Sequence, residues 1–177
     1  CLYGDPTQPG VIYVSEPGPF SWESFPSYMK LRLPLSEAGK VTSAEAMREN
    51  ALVFGDSYAA ILAGHPSAPV ITTVGGGVGA SSPACTASYG GMAFAFNGTL
   101  WAISEQGEAA DFGAPVRPLL PSTANARLAV SSKLASLFVI DTSSGEALRF
   151  HFPTKTWTQE ARNMVAITDR DGEAYIV

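Results

Sequence analysis

Few residues in this chain could carry out covalent chemistry, and Ser57 is the first of them. A serine becomes a nucleophile when a histidine takes its proton and an aspartate holds that histidine. Ser57 follows the apolar run Ala51–Phe54 through a Gly-Asp pair. Of the 2 histidines, His65 follows the serine by eight residues, and His151 has no aspartate three positions before it. The sequence therefore favours Gly-Asp-Ser as a hairpin turn over a catalytic block.

A second candidate is the glycine-rich segment 75–79, whose composition is that of a phosphate-binding loop. Such a loop needs a Lys-Ser/Thr pair after it and a helix whose N-terminus holds the phosphate. No such pair follows this segment, and Pro83 interrupts any helix there. Nucleotide binding is therefore not predicted.

The chain also contains residues that bind metals in other proteins. Segment 169–173 has carboxylates like those of a calcium loop but lacks the further ligands, and its Asp-Gly pair is a hairpin turn in its own right. Neither histidine stands at ligand spacing from the other or from Cys85, which we expect to be a buried, small apolar residue. The sequence therefore predicts no catalytic residue, no cofactor and no metal site.

Composition limits the kind of partner. The 177 residues can form one sizeable core or part of a larger one, and 46% of them are hydrophobic while only 15% are charged. Much of the surface must then be neutral, which suits a subunit packed among others. A net charge of −5 with 11 scattered Lys and Arg argues against a surface that binds nucleic acid.

No window of the sequence approaches the roughly 20 apolar residues of a membrane span, so no membrane span is predicted.

The cysteines leave two interpretations of the chain's start. Cys1 and Cys85 form neither a disulfide framework nor a zinc quartet. A first residue that is cysteine indicates either a processed lipoprotein or a fragment of a longer chain. Leu2 and Tyr3 are unlike the Gly/Ser-rich tether that follows a lipid anchor, so the fragment is favoured.

The elements that would position these residues are β-hairpins. Residues 91–103 consist of two alternating runs joined at Asn97-Gly98, the strongest short-range hairpin signal. Their alternation predicts a half-buried antiparallel pair. Residues 51–64 are predicted to form a similar hairpin. Segment 43–50 has helix-forming composition but is short, and dense prolines exclude a helix near the start of the chain.

Other strands and one aromatic cluster are predicted along the chain. Phe20, Trp22 and Phe25 are expected to fill the core beneath a loop. The remaining strand candidates are residues 10–15, 28–35, 128–130, 135–140, 146–152, 164–167 and 173–177.

The spacing of these strands indicates a repeat. Comparable strands start near residues 11, 51, 91 and 135, about 40 to 45 residues apart, and again near 164. Several short strands in a unit of that size are typical of propeller blades. We therefore predict an all-β fold of antiparallel hairpins in a single propeller-like domain over residues 1–177. Its blade-like units would be 11–50, 51–90, 91–134 and 135–177. The last strand has no evident partner, so closure would come from other segments or other subunits.

Several motifs follow one another in a distinctive order along the chain. An apolar strand is followed by Ser-Glu-Pro-Gly at 15–18 and Trp-Glu-Ser-Phe-Pro at 22–26. The 52–62 hairpin, the Gly-Val-Gly-Ala-Ser-Ser-Pro segment at 77–83 and the Gly-Gly hairpin at 90–103 come next. Val-Arg-Pro-Leu at 116–119 and an aromatic-turn-Trp element at 150–157 complete the series. In this order the motifs resemble those of the tail-nozzle and packaged-DNA-stabilisation proteins of short-tailed bacteriophages.

The resemblance implies a structural role rather than an enzymatic one. The family's propeller-rich subunits form a ring of identical copies below the portal and adaptor, which continues the DNA conduit, retains the packaged genome and anchors fibres or a needle. The expected location is the virion tail, assembled in the host cytoplasm. Phage DNA would pass without specific binding, and we expect Asp, Glu and neutral side chains to line the ring lumen rather than Lys or Arg.

Two alternatives from other classes stay open. Segment 53–58 resembles the nucleophile block of SGNH esterases, which implies a hydrolase centred on Ser57, although that family's Gly-x-Asn-Asp and Asp-x-x-His blocks are missing. A secreted or lipid-anchored propeller that serves as a binding scaffold is the other alternative.

Overall fold

A computed structural model describes residues 3–14, 30–33, 39–64, 68, 70–161, 163–170 and 173–176. These residues form an all-β structure of antiparallel strands, as the sequence predicts. Three sheets have four strands each, and two sheets have two strands each. Two short 3-10 segments, Pro83–Cys85 and Ala114–Leu119, lie in connections between strands.

Each four-stranded sheet is a meander in which strands pair in chain order. We number the strands along the chain and the four-stranded sheets as first, second and third. The first sheet contains β3 Ser43–Ala46, β4 Ala51–Phe54, β5 Ala59–Ala63 and β6 Val70–Val74; the second contains β7 Thr86–Tyr89, β8 Met92–Phe96, β9 Leu100–Ser104 and β10 Ala109–Asp111; the third contains β11 Ala126–Ser131, β12 Ser136–Asp141, β13 Glu146–His151 and β14 Thr156–Ala161.

A two-stranded pair is found toward each end of the described chain. The N-terminal pair joins β1 Val11–Tyr13 to β2 Lys30–Arg32, and the C-terminal pair joins β15 Ile167–Arg170 to β16 Glu173–Ile176. The final strand therefore has a partner, and the expectation that it lacks one is wrong.

Glycines with positive φ close the central hairpins. Gly98 has φ 102° in the three-residue loop between Phe96 and Leu100, which face each other across β8 and β9. Gly90 and Gly91 have φ 59° and 82°, the two left-handed residues that a tight turn between β7 and β8 requires. The hairpins predicted over residues 51–64 and 91–103 are confirmed.

The prediction of a half-buried hairpin is wrong, because β8 is buried on both faces. Phe94 and Phe96 on one face and Ala93 and Ala95 on the other are all at most 1% exposed. The same holds for most of β4 and β12. A strand covered on both sides requires a neighbouring layer on each side, so the sheets must stack.

The first strands of successive sheets set the order of the stack. Strands β3, β7, β11 and β15 begin at Ser43, Thr86, Ala126 and Ile167, a repeat of about 40 residues. Strand β7 lies against β3 and β11, and β11 also lies against β15. The predicted strand starts at 51 and 91 belong to the second strands of their sheets. Segment 43–50, despite its helix-forming composition, begins with β3, because pairing with β4 outweighs helix propensity.

The core lies between the sheets. Aromatic rings dominate the layer between the second and third sheets, where Phe94, Phe112 and Phe152 pack with Phe150 and Trp157. The N-terminal pair covers the other face of the first sheet, with Ile12 and Leu33 packed against Val53. Met164 and Ile167 cover Phe138 and Ile140 of the third sheet. Each four-stranded sheet therefore has a layer on both faces.

Some predicted features lie outside the described residues. They are the Phe20, Trp22 and Phe25 cluster, His65, the Asp171-Gly172 turn and Cys1. In the described part of the chain, no helix is long and apolar enough to cross a membrane.

Replacing Phe94 with alanine should destabilise the fold by about 3 to 5 kcal/mol, because it opens a cavity between two sheets. Urea unfolding measures this change. Met92→Ala on the same strand is the matched control: Met92 is 39% exposed, and its loss should cost less than about 1 kcal/mol. Equal effects of the two substitutions would contradict the stacking of the sheets.

Candidate functional site

The Ser57 turn and the glycine segment 75–79, the two motifs that resemble functional loops, lie against each other. The Ser57 turn joins β4 to β5, and the glycine segment 75–79 begins the connection from β6 to β7. The Ala80 amide donates a hydrogen bond to the Gly55 carbonyl at 2.9 Å. At Gly79, a Cβ atom would stand 2.5 Å from the carbonyl oxygen of Asp56. Glycine is therefore needed here so that the two backbones can approach.

The side chain of Asn97 holds this contact together. Its Nδ2 donates to the carbonyl oxygen of Asp56 at 3.0 Å and to that of Gly77 at 2.9 Å. Its Oδ1 accepts the indole N–H of Trp101 at 3.1 Å, which fixes the orientation of the amide. We call this set of contacts the Asn97 junction. It joins turns of the first and second sheets, and Asn97 was identified from the sequence only as a turn residue.

Ser57 has the surroundings of a turn residue. The Gly55 amide donates to the Tyr58 carbonyl at 2.7 Å, which closes the turn, and Ser57 is exposed. His65 lies outside the described residues. His151 belongs to β13 of the third sheet, and its Nδ1 lies 2.9 Å from the Thr154 hydroxyl oxygen. The described structure therefore brings no histidine to Ser57 as a base.

The glycine segment 75–79 is not followed by a helix. The next regular element is the three-residue 3-10 segment Pro83–Cys85. Gly77 has φ 82°, and Gly79 packs on the Ser57 turn, so chain geometry alone accounts for these two glycines. The arrangement has no helix N-terminus that could bind a phosphate.

Cys85 is buried at 0% exposure, as predicted, and its sulfur also forms hydrogen bonds. The Sγ accepts from the hydroxyls of Ser81 and Ser82 at 3.2 and 3.3 Å. It donates to the carbonyl oxygen of Ala126 at 3.3 Å and so links the second sheet to the third. A buried thiol held in this way acts as a structural contact.

A chain of hydroxyl groups links the first sheet to the second. The Ser43 and Thr86 hydroxyl oxygens, on first strands of adjacent sheets, are 2.6 Å apart, and both residues are buried. The Thr86 hydroxyl donates to Glu45 Oε1 at 2.7 Å, so the Ser43 hydroxyl is left to donate to Thr86. These side-chain contacts hold the first strand of one sheet beside the first strand of the next.

One cavity of about 320 Å³ opens where the first and second strands of neighbouring sheets turn. Arg48, Tyr89 and Gly91 are among its lining residues. The Arg48 Nε lies 3.9 Å from Glu105 Oε1, and the Tyr89 ring is stacked on Phe152 at 4.3 Å. The cavity can admit a small molecule. Its lining pairs no nucleophile with a base. The Gly-Gly turn is the one feature of this cavity that sequence reasoning identified.

The described residues contain no group of three or more His, Cys, Asp or Glu side chains that could hold a metal ion. Segment 169–173, which has calcium-loop carboxylates, overlaps the ends of β15 and β16, and these strands pair with Arg170 opposite Glu173. This pairing is what a hairpin turn at that position requires.

Two carboxyl groups have a pKa below its ordinary value, and both belong to surface turns. The Thr7 hydroxyl holds the pKa of Asp5 low, and the Ser143 hydroxyl does the same for Asp141. Each bond stabilises the charged carboxylate within its own turn. These shifts are therefore features of local turns and lie outside the Asn97 junction and the cavity.

No protein-family model and no curated protein matches this chain. The arrangement of the sheets and the contacts between them remain the basis for assigning a function.

Gly79→Ala should destabilise the protein by about 2 kcal/mol or more, because the new Cβ would overlap the Asp56 carbonyl. Gly76→Ala is the matched control in the same segment. A Cβ at Gly76 has nothing within 4 Å, so its effect should stay within about 1 kcal/mol. Thermal and urea unfolding of the two variants measure the difference, and a larger loss from Gly76→Ala would contradict the packing of Gly79 on the turn.

Proposed function

We propose that the three four-stranded sheets are consecutive blades of a β-propeller. A propeller blade is a four-stranded antiparallel meander whose first strand lies nearest the axis. The contacts of β7 with β3 and β11, and of β11 with β15, support such a radial order. Burial of β4, β8 and β12 on both faces also supports it, since each blade of a propeller packs against a neighbouring blade on either face.

In this proposal, the two-stranded pairs belong to further blades. The N-terminal pair packs on the first sheet and the C-terminal pair on the third, where the neighbouring blades of a propeller would lie. The strands that complete these blades would come from other segments or from neighbouring subunits.

We further propose that the protein acts by assembly rather than by catalysis, as a subunit of a bacteriophage tail ring. One observation carries this proposal. The turn that resembles a nucleophile block and the glycine segment that resembles a phosphate-binding loop pack against each other at the Asn97 junction. The low content of charged residues and the ordered resemblance to tail-nozzle proteins support the specific role. Portal, adaptor and fibre or needle proteins would be its other partners.

The proposed ring would let DNA pass without binding it. A net charge of −5 and a low number of Lys and Arg residues favour a lumen that repels or ignores phosphates. Weak affinity matters for a conduit, because every phosphate contact would slow the passage of a genome. A lumen with these properties would be lined by acidic or neutral side chains.

Electron microscopy and light scattering of the purified chain test the ring. We expect closed rings of identical copies that form as the concentration rises, because the neutral faces of the subunit would bury against neighbours. Only monomers at every concentration would contradict self-assembly into a ring, and a continuous basic lumen in the ring would contradict its role as a DNA conduit.

A fluorophosphonate probe separates the proposed role from the hydrolase alternative. We expect no covalent labelling of Ser57, because no described histidine can take its proton. Ser57→Ala provides the matched control for labelling at other residues. Labelling that disappears in Ser57→Ala would overturn the non-enzymatic proposal.

A further inference from the structure

The outer edge of the first sheet is unprotected. Strand β6 pairs with β5 on one side, and none of the described residues pairs with its other side. Its five residues, Val70–Val74, are uncharged, and all are β-branched. Val70 is 60% exposed and Ile71 is 36% exposed. An exposed, uncharged edge strand of this kind is a template for pairing with another strand.

The outer edges of the other two sheets carry the protection that β6 lacks. Strand β10 has only three residues, and its Asp111 forms an ion pair with Arg117 of the following 3-10 segment. Strand β14 contains Glu160, which forms an ion pair with Arg149 at 3.6 Å. Short length and charge are the usual means of blocking edge pairing. Of the three outer edge strands, β6 is the one without either feature, which indicates that another strand covers this edge.

We infer that β6 pairs antiparallel with β6 of a second copy of this chain, about a two-fold axis at Thr72. The order Val-Ile-Thr-Thr-Val is nearly symmetric about that residue. The axis would place Val70 opposite Val74 of the second copy, Ile71 opposite Thr73, and Thr72 opposite itself. No like charges meet in this register, so the edge is complementary to itself.

The pairing would join two first sheets into one sheet of eight strands. Antiparallel geometry over five residues provides about four to six new main-chain hydrogen bonds, depending on which residues direct their polar groups outward. The contact is small compared with the roughly 1,200 to 2,000 Å² of a stable interface. We therefore expect a weak dimer whose population grows with protein concentration.

This inference stands apart from the proposed ring. A two-fold contact joins copies in pairs and does not close a ring by itself, whereas a ring requires contacts between different surfaces of neighbouring copies. The β6 pairing would therefore exist whether or not the subunit belongs to a phage tail, and it is not the contact that would close a ring.

A charge-swap experiment tests the two-fold register. Thr72→Lys and Thr72→Glu each place like charges opposite each other at the axis, and each should weaken self-association by about fivefold or more. An equimolar mixture places Lys opposite Glu and should restore the dimer. Sedimentation velocity over a concentration series measures all three samples. The matched control is Thr158→Lys, a charge at an exposed position in the edge strand β14, which should leave the dimer unchanged.

Each outcome either supports or overturns the pairing of β6 with β6 of a second copy. Restoration by mixing supports the inference and shows that both variants are folded. A wild-type chain that stays monomeric throughout the series would overturn it. So would a dimer that survives both single substitutions, or one that Thr158→Lys weakens equally. If both variants lose the dimer and the mixture does not regain it, the two-fold pairing at Thr72 is wrong.

Discussion

The structure depends on one constraint: the second strand of each four-stranded sheet is apolar on both faces. Strands β4, β8 and β12 bury nearly every side chain, so no sheet can be stable with one face in water. Each sheet must lie between two other layers, and the two-stranded pairs cover the outer faces of the stack. The order of the layers then follows from the chain, because short connections bring successive sheets together.

Apolar packing brings the sheets together, while polar contacts determine how they are aligned. A layer of Phe and Trp rings tolerates sliding, since dispersion and burial have little directional preference. Hydrogen bonds between buried groups do not tolerate it, because a shift would leave a donor or acceptor unpaired. Cys85 and the Ser43–Thr86 pair make such buried contacts from one sheet to the next, and the partly exposed Asn97 adds bonds between turns. Asparagine, cysteine, serine and threonine side chains, which carry out chemistry in many enzymes, here align one sheet with the next.

The sequence was sufficient for some levels of this fold and insufficient for others. Alternation and the Asn97-Gly98 pair are local signals, and they predicted the hairpins, the all-β class and a repeat of about 40 residues. The first strand β3 has Ala and Glu where a strand usually has β-branched residues, so its pairing with β4 could not be predicted from local propensity. Burial of both faces of β8, the Asn97 junction and the cavity near Arg48 depend on residues far apart in sequence.

Stacking also limits where this protein can meet a partner. A sheet that uses both faces for its own core has only its edges and turns left for contacts. The turns at the Asn97 junction are occupied by bonds within the chain, and the edges β10 and β14 carry ion pairs. Among the described residues, the edge of β6 and the turns around the cavity remain as neutral or mixed surfaces. An uncharged strand edge offers its main-chain groups to another strand, so this architecture leaves an edge rather than a sheet face open to a partner.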